Sequence, residues 1–82
     1  MLTVGDKIKY FRKQRGMTQA QLAELTGIHP VSIRKYETNK MQPQSQQLER
    51  IAEALRVNSG ALSDSHSDII HMETKGDLMG LL

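Results

Sequence analysis

Gly27 lies between two short stretches of helical periodicity, and this arrangement limits the possible folds more than any other feature. Before it, Leu22, Ala23 and Thr26 recur at helical spacing; after it, Ile33 and Tyr36 do. The first stretch has its own start signal, Thr18 followed three residues later by Gln21. The second opens at Pro30, the position where a missing N–H costs nothing, with His29 as its cap. A turn of three residues then makes the two helices cross steeply. Ala23 supplies a small side chain at the crossing. Gly27 supplies a backbone conformation that a side chain resists, and Ile28 plugs the core from the turn.

The same punctuation predicts an all-helical chain. Val4, Ile8 and Phe11 share one face of a first helix, opened by Thr3 and Asp6 as a capping box and stopped by Gly16. Lys13 and Arg15 fall in its last turn, where cations suit the negative helix end. The third helix runs to about Thr38, with Asn39 as a left-handed residue behind it. Residues 40–44, with Pro43, form a loop. A fourth helix starts near Ser45 and carries Leu48, Ile51, Ala52 and Leu55; Asn58 or Ser59 caps a final turn holding Leu62. The expected organisation is a compact five-helix domain over 1–63 and a tail over 64–82. The tail is polar at first, then carries seven Ile, Leu or Met in its last fifteen residues. Its apolar density suggests a dimer contact or a protein-binding segment; its structure is left unassigned.

Composition removes several classes of function. Eighty-two residues allow one small domain. No apolar run approaches a membrane span, and the N-terminus lacks the apolar stretch of a secretory signal. Without cysteine there is no disulfide, thiolate metal site or cysteine nucleophile, which fits a cytoplasmic protein. His66 and His71, with Asp68 and Glu73, are off the spacing of one helical face, so no metal or cofactor is expected. The serines lack a partner base, so no catalysis is expected either. One Phe, two Tyr and no Trp argue against stacking on single-stranded nucleic acid.

Charge is unevenly divided. Residues 1–41 carry eight Lys or Arg against Asp6, Glu24 and Glu37, a net +5, whereas residues 42–82 carry three against six, a net −3. A basic half points to an anionic partner. The predicted outer face of the third helix holds Val31, Ser32, Arg34, Lys35 and Thr38, with His29 and Pro30 at its tip. Such a short, polar, cationic face suits the major groove of double-stranded DNA, and residues 19–38 form a helix-turn-helix candidate.

The run IKYFRKQRGMTQAQLAELTGIHPVSIRKYETNK, followed by Pro43 and LERIAEALRV, resembles the phage-repressor and Cro-type, or Xre-like, helix-turn-helix regulators. The resemblance covers roughly residues 4–63 and implies a lambda-repressor-like DNA-binding domain, usually dimeric on a palindromic operator. By position, it implies base reading or bracing in the groove by His29, Pro30, Val31, Arg34 and Lys35. It implies phosphate contacts from Thr18, Gln19, Thr38, Asn39 and Lys40, and an internal ion pair between Arg12 and Glu37. Three positions depart from the family pattern. Pro30 replaces a Gln or Ser, which shifts reading toward Arg34 and Lys35; Asn39 replaces a glycine; and Gln44 and Ser45 replace the usual cap and apolar residue after the loop proline. The expectation is a transcriptional regulator, a repressor by occupancy. The alternatives are an antitoxin that binds a toxin through the tail, and a restriction–modification controller.

Overall fold

A computed structural model describes residues 2–63, and the tail at 64–82, with His66, His71 and its apolar residues, lies outside them. Five helices follow in order: α1 (Val4–Gln14), α2 (Gln19–Thr26), α3 (Pro30–Glu37), α4 (Ser45–Leu55) and α5 (Ser59–Leu62). Among the described residues there is no strand, and no helix is long and apolar enough to cross a membrane.

Local chemistry sets most of these boundaries. At α1 the Asp6 N–H donates to Thr3 Oγ1 at 3.0 Å, and the Thr3 N–H donates to the Asp6 carboxylate at 3.1 Å. At α2 the same reciprocal box joins Thr18 and Gln21. His29 Nδ1 accepts from the Val31 N–H at 3.1 Å, with Pro30 as the first residue of α3. Asn58 accepts from the Gly60 N–H to start α5. Stops follow the left-handed rule: Gly16, Gly27 and Asn39 have φ of 68°, 74° and 63°. α4 departs at both ends. Gln44 makes no side-chain cap, and the helix closes on Arg56, a non-glycine residue at φ 60°.

The core gathers Val4 and Ile8 from α1, Leu22 and Ala23 from α2, and Ile33 and Tyr36 from α3. Ile51, Ala52 and Leu55 of α4 and Leu62 of α5 complete it, with Ile28 inserted from the turn as expected. Phe11 packs against the core from the Val4 and Ile8 face of α1, as its spacing predicts. It is only half-buried at the edge of the core, where its ring meets the exposed Tyr10 edge-on at 5.1 Å. The next residue, Arg12, is more deeply buried, at 8% exposed.

Two contacts fix how α1 lies against its neighbours. A Cβ on Gly5 would overlap the Tyr36 carbonyl oxygen, so α1 and α3 approach backbone to backbone there. Arg15, read from the sequence as a helix-end cation, reaches across to α4. Its Nε donates to Leu55 O at 2.7 Å and its Nη2 to Arg56 O at 3.3 Å. It thereby satisfies carbonyls that the helix end leaves open.

Candidate nucleic-acid interface

α3 has two chemically distinct sides. Ile33, Tyr36 and Glu37 are buried, while His29, Pro30, Val31, Arg34, Lys35, Thr38, Asn39 and Lys40 are exposed. Ser32, expected on the outer face, is half-buried between the two. The base-reading candidates and the loop candidates therefore share one continuous surface, stretching from the start of α3 to the turn beyond it.

Hydrogen bonding narrows what each residue can offer there. A backbone N–H only donates, so the bond from Val31 makes His29 Nδ1 an acceptor; the neutral ring carries its proton on Nε2. Pro30 contributes no donor at all, and Val31 presents an apolar side chain that is 43% exposed. Arg34 and Lys35, one turn further on, have no carboxylate within ion-pairing distance among the described residues. Thr38 Oγ1 donates to Arg34 O at 2.9 Å, so in this rotamer it has no hydrogen for a phosphate. The N–H groups of residues 38, 39 and 40 all donate to carbonyls of α3, which leaves the Asn39 and Lys40 side chains as the free donors of the turn.

At the start of α2, Thr18 Oγ1 accepts from the Gln21 N–H and retains its own hydroxyl hydrogen. Gln19 is half-buried, and its Nε2 donates to Glu37 Oε1 at 3.0 Å. No residue pattern signals that bond. It ties the first residue of α2 to the last residue of α3, and one Nε2 hydrogen remains for an outside acceptor.

Beneath this surface lies the expected ion pair. Arg12 Nε donates to Glu37 Oε2 at 2.7 Å and Nη2 to Oε1 at 3.1 Å. Arg12 Nη1 donates to Met17 O at 2.7 Å, in the turn between α1 and α2. Glu37 therefore connects three helices, and the outer residues of α3 are held by a buried carboxylate behind them. Among the described residues no group of His, Asp or Glu could hold a metal ion.

This geometry defines a helix-turn-helix unit, and comparison with known proteins gives its family. The helix-turn-helix family model matches residues 8–62. The immunity repressor protein of Bacillus phage phi105 is 36% identical over 61 residues, covering 74% of this chain and 42% of the relative. The chain thus spans less than half the length of the curated relative it matches. Two solved structures are similar in fold. The P22 c2 repressor protein, crystallised with synthetic operator 9T in the presence of Tl+, has a TM-score of 0.74 and 25% identity, covering 78% of this chain and 97% of that one. The SinR protein/SinI protein complex gives a TM-score of 0.73 and 26% identity, covering 94% of this chain and 74% of the other. The chain belongs to the Xre-like helix-turn-helix family.

Proposed function

We propose that this chain is a cytoplasmic, sequence-specific regulator of transcription that binds double-stranded DNA through residues 1–63. It acts as a repressor, by occupancy, as a dimer on a palindromic operator. The observation that carries this reading is the exposed face of α3, where His29, Val31, Arg34 and Lys35 stand clear of the core with Lys40 beside them. Arg34 and Lys35 read base edges in the major groove, Val31 and Pro30 make apolar contact, and His29 donates from Nε2. Thr18, Gln19, Asn39 and Lys40 hold the phosphate backbone on either side. Thr38 belongs to that edge as the residue that closes α3.

Selection of bound duplexes from a random pool, at near-physiological salt, tests the reading. An enriched inverted repeat with half-sites about 10 base pairs apart is the expected result. Binding that merely fades as salt rises, with no enriched sequence, would refute a stand-alone sequence reader.

A second reading keeps the fold and changes the partner. In it, 64–82 binds another protein, as an antitoxin binds a toxin. The similarity to a structure that pairs SinR with a second protein favours it. Operator affinity of the pure protein separates the two, since the second reading expects firm DNA binding only with the partner present.

A further inference from the structure

Away from α3, the C-terminal ends of α1, α2 and α4 enclose a cleft of about 840 Å³. Arg15, Arg50 and Arg56 line it around Met17, Leu25 and Ala54, and Glu53 is its one carboxylate among the described residues. Leu25 is 62% exposed, more than any other large apolar side chain described. It also belongs, with Arg15 and Met17, to an adjoining hollow of about 430 Å³, whose further lining, Gly16, Gln21 and Glu24, is polar and places a second carboxylate at that edge. Arg15 is engaged by the carbonyls at the end of α4, and neither Arg50 nor Arg56 has an ion-pair partner among the described residues. Cations held around an exposed leucine call for an occupant that is acidic and apolar at once.

We propose that this cleft is the seat of residues 64–82 of this chain. The inference goes beyond the DNA-binding reading and does not depend on it. Residues 2–63 carry ten Lys or Arg against five Asp or Glu, a net +5. The whole excess of acid therefore lies in 64–82, with Asp64, Asp68, Glu73 and Asp77 against Lys75, a net −3. Acid and apolar residues are also interleaved there as the cleft requires: Asp68 precedes Ile69 and Ile70, and Asp77 precedes Leu78 and Met79. Reach is sufficient. The Ser63 carbonyl accepts from Nζ of Lys7, the fourth residue of α1. From Lys7 to Arg15 is about 12 Å at the helical rise, a span that four or five extended residues cover. Asp68 is the fifth residue beyond Ser63.

The test uses the full chain with the photoreactive residue p-benzoylphenylalanine in place of Leu25, and separately in place of Val31; both sites are exposed. Cross-links from position 25 into 64–82, mapped by mass spectrometry, are expected. A mixed ¹⁴N/¹⁵N pool tells whether the seated segment comes from the same chain or a second copy; cross-links within one chain support the proposal, and cross-links only between copies overturn it. The double charge reversal R50E/R56E, with helical circular dichroism unchanged, should reduce the yield about tenfold. No cross-link into 64–82 from position 25, a cross-link from position 31 instead, or a yield indifferent to the charge reversal would overturn it. Should the position 25 variant lose helical signal, amide shifts of Leu25 and Ala54 in D68K/D77K against the natural chain decide: movement is expected, and none refutes the seat.

Discussion

Arg12 and Glu37 meet through two hydrogen bonds of 2.7 and 3.1 Å with their side chains 10% and 2% exposed, so each is the other's answer to burial. Removing one partner leaves a charge stranded in the core. Arg12→Met alone should cost about 3–5 kcal/mol, most of the stability of a domain this small. In the double variant R12M/E37M no charge is left behind, and the loss should be well below the sum of the two single losses. Urea denaturation of the three variants measures that coupling.

Gly5 sits where α1 meets the Tyr36 carbonyl, and no side chain can move aside because the neighbour is backbone. Gly5→Ala should therefore destabilise by about 1–3 kcal/mol, against the gain alanine brings to an ordinary helix site. Thermal melting of this variant beside an alanine at exposed Gln14 separates the two effects.

Capping of α1 gives the domain an acid-sensitive element. The Thr3 N–H, and secondly its hydroxyl, hold the Asp6 carboxyl below its ordinary value of 3.8. A folded value lower than the unfolded one means that the cap stabilises fully above the unfolded value and fades as pH falls through the folded one. Asp6→Asn should lower the melting temperature near neutrality, and its deficit should shrink steadily below a pH of about 4. Melting curves across that range check both statements.

The sequence disclosed the parts of this fold that rest on local chemistry. Thr3 with Asp6, Thr18 with Gln21, and Pro30 behind His29 mark helix starts because their bonds close within three residues. Gly16, Gly27 and Asn39 mark stops because few residues tolerate positive φ. Contacts distant in the chain were a different matter. Nothing in the sequence gives the partner of Arg15, since its acceptors, Leu55 O and Arg56 O, are backbone atoms forty residues away. Gly5 had one legible signal, a glycine in the first turn of a helix already started by a capping box. Phe11 was legible as a core-facing residue from its spacing with Val4 and Ile8, whereas the burial of Arg12 against Glu37 was legible only through the family resemblance. The exposed face of α3 was legible from periodicity once Ile33 and Tyr36 were assigned to the core. The hydrogen bonds that tie up Thr38 and part of Gln19 follow from rotamers and helix crossings that no residue pattern marks.

Arg56 closes α4 at φ 60°, where a side chain meets its own backbone. Arg56→Gly should stabilise the fold by about 1 kcal/mol through relief of that strain. It also takes a cation from the cleft, so a stabilised domain with a weaker hold on 64–82 is the combined expectation. Denaturation, and cross-linking from position 25, read the two consequences separately.

On the DNA-binding reading, the donors of α3 and its turn divide into two kinds, and salt tells them apart. Arg34 is free to meet a guanine with two hydrogen bonds; Arg34→Ala should cost about 1–3 kcal/mol of operator affinity and relax sequence preference at one position of each half-site. Lys40 faces outward beyond the helix, where its contact is to phosphate. Lys40→Ala should weaken selected and random duplexes alike and reduce the slope of log affinity against log salt by about one per site lost. Thr38→Ala should change affinity by less than about 0.5 kcal/mol, because its hydroxyl hydrogen is already donated to Arg34 O. Salt titrations of the natural chain and these three variants, on the selected operator and on a scrambled duplex, give all the comparisons. If Arg34→Ala weakened both duplexes equally, Arg34 would join Lys40 as a backbone contact, and base reading would fall to Lys35, His29 and Val31.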